Sequence, residues 1–494
     1  MLAALVPAAS LTVPGAPAQA QSPRPTARGR LVVAPSAALA ARLRPLLDAP
    51  PFDRSLWGIA VLDPAGRLVF ERNGDRLFVT ASAAKVVVAA TAAALLPESY
   101  RFRTSVYAAG GVVDGEVRGD LVLYGRGDPA LSGRRHASAL GAFEELADTL
   151  RARGITRIAG DVVADASWFD SVTVHPSWEA YDLMYWFAAP VTAIAFNDNA
   201  VDVAVTPSYV GGPPVISFAP DLGTVRIRNF AVTAPAGTRN TFEFYRNPGT
   251  NDIWAAGELP VDGRPYSDNV AVADGPLWAA TAFVRALQSR GIAVGGAPRR
   301  THDSTAYAAA RARGAVAEHW SAPLDDLLKP ILAVSHNWYA EMLLRTLGRE
   351  VGAGGSWEDG LAVERAFLRD SFGIDTTQFH LVDGSGLSHH NLVTPRAFVT
   401  LLRGVRQHRR HDRFLDALAV PGQVGTLRTR FRFAAPAGRV RAKTGSIGNT
   451  NSLVGYLEAR DGGYWTFAIL LNNHVLPNRD VLRRIDEIVA AIAR

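Results

Sequence analysis

The sequence predicts an α+β fold in which an antiparallel sheet with flanking helices is interrupted by a long β-rich insertion. Strand-like and helical patterns occur near both ends of the chain. Between them, the sequence consists mainly of short β-like runs separated by Gly, Pro and Asn. A chain of 494 residues that is 48% hydrophobic can bury a large core. We therefore assign residues 31–100 and 312–494 to one discontinuous domain, and residues 101–311 to an accessory insertion of two subdomains.

The first part of that domain contains a hairpin followed by a helix. Residues 55–62 and 67–72 are apolar runs on either side of Asp63-Pro64-Ala65-Gly66, which is typical of a turn between two strands. Residues 82–96 are rich in Ala and Val, and they predict a helix. In the insertion, residues 120–124, 201–205 and 241–245 have the pattern of strands.

Helical patterning returns at residues 324–332, 338–347 and 364–370, and three strands follow at 440–446, 452–459 and 464–471. Apolar residues between 481 and 492 then mark one face of a terminal helix. The polar face of this helix carries both signs of charge, which favours packing on the sheet over lying on a membrane surface. The two ends of the chain thus predict a single sheet.

The N-terminus resembles an export signal. Residues 2–13 are apolar but too few to span a bilayer, and Ala18-Gln19-Ala20 has the small residues of a signal-peptidase site. We predict a signal peptide at residues 1–20 and an exported, periplasmic or wall-associated protein. A disordered Ala/Pro leader is the alternative. Further along, every apolar run of 18 residues is broken by a charge or a turn signal, so no transmembrane anchor is expected.

The composition excludes several classes of function. The chain has no cysteine, which excludes disulfides and thiolate metal sites. Its net charge is +6, but the arginines are spread along the chain rather than gathered into a stripe, so nucleic acid is not an expected partner. His389-His390 and the pair at 408 and 411 have few carboxylates nearby at ligand spacing. We expect neither a metal nor a cofactor, and a homo-oligomer is possible.

Lysine is scarce in this chain. Among 52 basic residues, the lysines are Lys85, Lys329 and Lys443. Arginine stays protonated in proteins, whereas the pKa of lysine shifts readily on burial, so amine chemistry requires lysine. The search for a reactive site therefore begins at these three positions.

Two of the lysines lie in short motifs that suit nucleophilic catalysis. Ser82-Ala-Ala-Lys85 places a hydroxyl and an amine on one face of the predicted helix, so that a desolvated lysine can act as base. Lys443-Thr444-Gly445 ends a predicted strand with a cation and a hydroxyl that can bind a carboxylate. Between them, Ser335-His336-Asn337 offers a proton relay and an orienting amide.

Together and in this order, the three motifs resemble those of the low-molecular-mass class C penicillin-binding proteins, the D-alanyl-D-alanine carboxypeptidases/endopeptidases. The 253 residues between Ser82 and Ser335, against 108 between Ser335 and Lys443, are similar to this family, in which a domain is inserted between the first two motifs. The further stretches that resemble the family are residues 119–129, 158–162, 189–191, 196–199, 335–347 and 383–388.

The resemblance implies a penicillin-binding/β-lactamase-like transpeptidase domain in which Ser82 is acylated and Lys85 is its base. It further implies that Ser335 and Asn337 form the second motif, and that Lys443 with Thr444 binds the substrate carboxylate. Gly445 would let the substrate approach the strand, and the backbone N–H groups of Ser82 and Ser446 would form the oxyanion hole. The departures from the family pattern are Thr80 in place of a proline and His336 in place of an aspartate.

The resemblance also suggests where the stem peptide of peptidoglycan is held. Asp165 and Phe169 are candidates for gripping the free amine of a diamino acid, although a purely structural turn is an equal alternative. His389 and Gly448 stand where the family places a cation and a polar amide for the other end of that residue.

The expected function is thus that of a serine-type DD-peptidase acting on peptidoglycan stem peptides, with β-lactam antibiotics as covalent inhibitors. A β-lactamase or esterase on the same fold is one alternative, but no Glu-x-x-Leu-Asn segment is found between Ser335 and Lys443 to supply a deacylating glutamate. A non-catalytic wall-binding protein is the other, and the completeness of the motifs argues against it.

Overall fold

A computed structural model of the chain describes residues 31–432, 440–458 and 462–492. The predicted signal peptide at residues 1–20 lies outside this range. Within the described part, no helix is long and apolar enough to cross a membrane.

The described chain begins with a helix, a hairpin and the segment that carries Ser82. Gly66 adopts a positive φ of 79° in the turn between the hairpin strands, a conformation that glycine reaches without steric cost. The elements of this part are α1 (Ala37–Asp48), β1 (Leu56–Leu62), β2 (Leu68–Arg72), β3 (Phe78–Val79) and α2 (Lys85–Leu95).

The middle of the chain is β-rich, as predicted, but it also contains two long helices that the sequence analysis missed. Its elements are β4 (Arg103–Ala108), β5 (Val112–Val113), β6 (Glu116–Val117), β7 (Leu121–Tyr124), α3 (Gly141–Ala152), β8 (Arg157–Ile158), β9 (Val162–Asp165), β10 (Ala200–Thr206), β11 (Val215–Ala219), β12 (Arg226–Asn229), β13 (Val232–Ala234), β14 (Glu243–Arg246), β15 (Asp252–Ala256), β16 (Glu258–Pro260), β17 (Tyr266–Ala271), α4 (Gly275–Ser289), β18 (Ala293–Val294), β19 (Pro298–Thr301), α5 (Ala308–Ala312) and β20 (Ala317–Trp320).

The remainder returns to helices and then forms three long strands and a terminal helix, as predicted. Its elements are α6 (Leu324–Lys329), α7 (Asn337–Val351), α8 (Trp357–Phe372), β21 (Phe379–His380), β22 (Leu392–Val393), α9 (Pro395–Val405), α10 (His411–Ala417), β23 (Val440–Ile447), β24 (Thr450–Glu458), β25 (Tyr464–Asn472) and α11 (Asn478–Ile492). Ser356 and Asp359 form a capping box that starts α8, and Gly373 ends this helix in the left-handed conformation.

The central sheet joins the two ends of the described chain. Its five strands run in the order β2-β1-β25-β24-β23, and every neighbouring pair is antiparallel. One face packs on α1 and α11, where Leu453 and Ile485 share a buried cluster. The other face packs on α9 and on the Ala81–Ala84 turn that precedes α2, and Val454 is buried in the cluster on this side. Helices thus cover both faces, and β23 is left as an edge strand.

The sheets of the insertion form two groups. The first group combines the five-stranded sheet β19-β9-β7-β4-β20 with the four-stranded sheet β18-β8-β6-β5, and α3 and α4 contribute to the same core. The second group contains the small sheets β11-β10-β17, β12-β15-β14 and β13-β16. Strand β20 pairs with β4, so the first group recruits residues as far as Trp320.

Candidate active site

Ser82 lies on a short 3-10 turn, Ala81–Ala84, that leads directly into α2. The sequence predicted one continuous α-helix from residue 82, but the α-helix itself begins at Lys85. The tighter turn starts with a positive φ of 46° at Ala81. Ser82 is half-buried, and its Oγ lies 2.8 Å from Lys85 Nζ. The predicted contact between hydroxyl and amine is therefore present.

The amine of Lys85 is fully buried and held from three directions. Besides Ser82 Oγ, Nζ lies 2.6 Å from Asn337 Oδ1 and 2.7 Å from the Ser385 carbonyl oxygen. Burial lowers the pKa of Lys85 to about 7, although the carboxylates of Glu341 and Asp383 oppose this shift by raising it. A substantial fraction of Lys85 is thus neutral near pH 7.

A neutral lysine amine has two N–H groups and one lone pair, and its three neighbours match this set. The Asn337 amide donates through Nδ2 to the Phe187 carbonyl at 3.0 Å, which turns its oxygen toward Lys85. Asn337 Oδ1 and the Ser385 carbonyl can each accept one N–H from Nζ. The lone pair is then left for the hydroxyl proton of Ser82.

Ser335 and Asn337 are placed by an irregular turn. A π-helical turn at Pro330–Val334 ends at Ser335, which has a left-handed φ of 71°, and α7 begins two residues later at Asn337. A positive φ is strained for a residue with a side chain, and such strain is common at functional sites. The second motif therefore reaches the cluster from the opposite side to Ser82.

Lys443 completes the cluster from the edge strand β23. Its Nζ donates to Ser335 Oγ at 2.8 Å and to the Thr444 carbonyl at 2.6 Å. Burial, together with the nearby charge of Lys85, holds the pKa of Lys443 well below its ordinary value. A substrate carboxylate bound here would favour the charged ammonium. Thr444 contributes a hydroxyl that lies 2.8 Å from Thr426 Oγ1.

Gly445 is required by the close packing of β23 against the Ser82 turn. A Cβ atom at this position would lie 2.2 Å from Ser452 Oγ, 2.8 Å from the Thr80 carbonyl oxygen and 3.0 Å from the Ser82 nitrogen. Ser446 follows and is exposed, and its Oγ accepts a hydrogen bond from Asn451 at 2.7 Å. The five candidate catalytic residues and the Lys443–Ser446 segment therefore meet at one place.

Sequence reasoning missed a buried carboxyl group beneath this cluster. Glu341 is fully buried one turn after Asn337 on α7, and it accepts hydrogen bonds from the backbone N–H groups of Ser385 at 2.7 Å and Gly384 at 3.1 Å. It thereby fixes the residue whose carbonyl contacts Lys85. Burial and the neighbouring Asp383 raise the pKa of Glu341 to about 7. A glutamate four residues after Asn337, on the same helix face, was the available signal.

Asp383 organises the family-like segment at residues 383–388. Its carboxylate accepts hydrogen bonds from the N–H groups of Gly386 at 2.7 Å and Ser388 at 2.8 Å, and from Trp178 Nε1 at 3.0 Å. The segment is thus a carboxylate-centred loop, which presents the Ser385 carbonyl to Lys85.

His336, which stands where the family pattern has an aspartate, contacts an aspartate from the insertion. His336 Nε2 lies 3.3 Å from Asp198 Oδ2, and Asp198 also pairs with Arg134. The interactions with His336 and Arg134 hold the pKa of Asp198 below its ordinary value despite its burial. The second motif is therefore tied electrostatically to the inserted region.

The structure does not bring Asp165 or Phe169 into the cluster. Asp165 is fully buried at the end of β9 and pairs with Arg311 at 2.8 Å. Phe169 packs under the guanidinium of Arg345, which is 4.5 Å from the ring centroid and two turns along α7 from Asn337. The ion pair with the partly buried Arg311 favours the structural alternative for Asp165.

His389 does lie beside Gly448, as the resemblance suggested. A Cβ atom at Gly448 would be 3.1 Å from His389 Cε1. On its other side His389 Nε2 lies 3.5 Å from a carboxylate oxygen of Glu179, and both side chains are well exposed. A histidine and a carboxylate are thus available together at this position.

Comparison with known proteins decides the family. The family model described as D-Ala-D-Ala carboxypeptidase 3 (S13) matches residues 39–494. The chain belongs to this family. A D-alanyl-D-alanine carboxypeptidase of Actinomadura sp. (strain R39) is 33% identical over 452 residues, which cover 87% of this chain and 80% of the relative. The predicted family and the predicted class of enzyme are confirmed by these matches.

Solved structures confirm the fold class. Penicillin binding protein 4 (dacB) from Haemophilus influenzae superposes with a TM-score of 0.78 at 23% identity, covering 91% of this chain and 98% of that protein. The same protein complexed with a β-lactam gives a TM-score of 0.74 at 22% identity, with 93% and 100% coverage. The overall fold is therefore shared.

Proposed function

We propose that this S13-family peptidase cleaves D-Ala-D-Ala-type bonds of peptidoglycan stem peptides through an acyl-enzyme on Ser82. The observation that carries the proposal is the position of Lys85 Nζ, which lies 2.8 Å from Ser82 Oγ and within hydrogen-bond distance of two further oxygens. When the amine is neutral, these two oxygens can accept its N–H groups and leave the lone pair for the Ser82 proton. A buried amine with a pKa of about 7 is matched to this role near neutral pH.

In the acylation step, Ser82 Oγ attacks the carbonyl carbon of the penultimate D-Ala and its proton passes to Lys85 Nζ. The backbone N–H groups of Ser82 and Ser446 stabilise the negative oxygen of the tetrahedral intermediate. The C–N bond then breaks, and the leaving amine receives a proton through the Ser335 hydroxyl, which is hydrogen-bonded to Lys443. Water releases the peptide acid from Ser82 in the second half of the reaction.

Lys443 and Thr444 bind the carboxylate of the leaving group in this proposal. In trimming, that group is the terminal D-Ala. In cutting of a crosslink it is the D-centre of a diamino acid, which also carries a carboxylate next to the departing nitrogen. One ammonium and one hydroxyl at the edge of the sheet therefore serve both carboxypeptidase and endopeptidase reactions.

His389, Gly448 and Glu179 form the proposed contact for the side chain of the stem-peptide diamino acid. They replace Asp165 and Phe169, whose side chains are committed to Arg311 and Arg345. His389 offers a ring N–H donor for a carboxylate, and Glu179 offers a carboxylate for an amine.

The proposed setting is the bacterial cell wall, reached by export. The apolar stretch at residues 2–13 and the small residues Ala18 and Ala20 support this proposal, as does the substrate class.

The decisive experiment is acylation by a labelled penicillin, followed by intact-mass analysis. We expect one stable adduct on the natural protein, none on Ser82→Ala, and an unchanged adduct on the control Ser289→Ala, an exposed serine at the end of α4. An adduct that survives Ser82→Ala would refute the assignment. Rapid release of hydrolysed drug would instead favour the β-lactamase alternative, in which the acyl-enzyme turns over.

A further inference from the structure

An aromatic stripe runs across the surface of the insertion from a point beside the active site. It consists of Phe187, Tyr185, Tyr181, Tyr245 and Trp254. The rings of Phe187 and Tyr185 stack at 5.5 Å and 11°, and the rings of Tyr185 and Tyr181 lie 5.6 Å apart. At the far end, Tyr245 and Trp254 stack at 6.1 Å and 15° on the paired strands β14 and β15.

Glu243 joins the two halves of the stripe. Its carboxylate accepts hydrogen bonds from the hydroxyls of Tyr181, Tyr185 at 3.5 Å and Tyr245 at 3.1 Å. Tyr181 is 58% exposed and Tyr245 is 39% exposed, so ring surface remains open to solvent on both sides of this carboxylate. Rings ordered by hydrogen bonds and left open to water form a preorganised binding surface.

The stripe is continuous with the catalytic cluster. The carbonyl of Phe187 accepts the hydrogen bond that orients the Asn337 amide, and the oxygen of this amide contacts Lys85. A substrate whose scissile bond lies at Ser82 and whose body extends over Phe187 would therefore meet the aromatic rings next.

The charges around the stripe indicate which polymer it suits. Glu179, Asp182 and Glu243 lie along it, and Arg228 on β12 stands opposite Trp254 at the far end. Arg246 is turned inward and donates to backbone carbonyls. The carboxylates along the stripe would repel a polyanion such as nucleic acid or an anionic wall polymer.

A sugar chain matches these features. The apolar C–H faces of pyranose rings stack on aromatic rings, and their hydroxyls can bond to phenols and to a carboxylate. In peptidoglycan the stem peptide amidates the lactyl group of the sugar, so the peptide-bearing sugar is uncharged. We propose that the aromatic stripe binds the glycan strand that carries the stem peptide cleaved at Ser82, a proposal that rests on the proposed function.

The test compares polymeric and short substrates. Tyr181→Ala and Tyr245→Ala each remove an open ring, and Tyr209→Ala removes a 74% exposed tyrosine elsewhere in the insertion. We expect release of D-Ala from isolated sacculi to fall by about fivefold or more in the two stripe variants. Release from a short soluble pentapeptide and acylation by penicillin should be unchanged. The control should match the natural protein on all substrates, and circular dichroism verifies that each variant is folded.

Direct binding to glycan strands tests the aromatic stripe independently of peptide cleavage at Ser82. Glycan strands freed of peptides are titrated against the protein, and tyrosine and tryptophan fluorescence is followed. Saturable quenching that Tyr181→Ala and Tyr245→Ala weaken by about fivefold or more supports the stripe even if no peptide is cleaved. Quenching that is absent, or equal in these variants and Tyr209→Ala, overturns it even if penicillin acylates Ser82. An equal loss of activity on pentapeptide and sacculi would also overturn it.

Discussion

The rate of penicillin acylation should rise steeply with pH below 7, because only the neutral amine of Lys85 can accept the Ser82 proton. With a pKa of about 7 for Lys85, about 3% of the molecules carry the neutral amine at pH 5.5 and about 24% at pH 6.5. The second-order rate constant should therefore increase about eightfold over this interval. Groups that face this amine are Glu341 from α7, Asp383 from the 383–388 loop and Lys443 from β23.

The pH profile is measured by stopped-flow or quenched acylation with a fluorescent penicillin between pH 5 and 9. Because burial and the charge of Lys85 also lower the pKa of Lys443, loss of the Lys443 charge should oppose the rise in rate as the pH increases. Lys85→Arg keeps the cation but cannot supply a neutral amine, so its rate should be lower by about two orders of magnitude or more. Lys329→Arg, at an exposed lysine, is the matched control. A flat profile between pH 5.5 and 6.5, or a nearly normal rate for Lys85→Arg, would refute lysine as the base.

Two further substitutions test the surroundings of the site. Glu341→Gln removes a carboxylate that raises the pKa of the catalytic lysine when it is ionised. Because the pKa of Glu341 is itself about 7, this carboxylate is only partly ionised over the acidic limb, and the midpoint of the same profile should move slightly to lower pH. Glu364→Gln is the control and should leave the midpoint in place, because the carboxylates that raise the Lys85 pKa are Glu341 and Asp383. A fall in rate without a shift for Glu341→Gln would indicate a merely structural role. Asp165→Asn breaks the ion pair between the fully buried Asp165 and the partly buried Arg311, and should lower the free energy of unfolding by about 1–3 kcal/mol, while acylation of the folded protein is retained. In thermal unfolding, Asp161→Asn at an exposed pair is the control, and equal midpoints for the two variants would contradict this reasoning.

The sequence was most informative where a pattern is local. The hairpin around Gly66, the three C-terminal strands and the helix after Asn337 each follow from periodicity within a few residues, and the structure has all of them. The three motifs could be read because each is a short run with fixed internal spacing. That these three motifs meet in space, by contrast, was predicted from the family resemblance and from the scarcity of lysine.

Long-range partners were not predictable from local patterns. Asp165 looked like a free carboxylate beside aromatics, because its partner Arg311 lies 146 residues further along the chain. Glu341 looked like the polar face of a helix, whereas tertiary packing buries it against the backbone of Gly384 and Ser385. The helices α3 and α4 were not predicted, because most of the insertion around them has the pattern of short strands separated by Gly and Pro. In each case the missing information was which distant segment supplies the contact.

The pairing of β1 with β25 has a consequence for the time at which the enzyme becomes active. The Ser82 turn is held against β24 by a hydrogen bond from Ser452 Oγ to the Thr80 carbonyl, and these residues are 372 positions apart. During synthesis, Ser82 emerges from the ribosome long before the strand that carries Lys443. Chains fold as they emerge, and contacts between distant segments form late. The nucleophile therefore stays without its carboxylate site until β23, β24 and β25 have joined β1. A nascent chain that ends before these strands should not react with penicillin, and reactivity toward the drug reports completion of the fold.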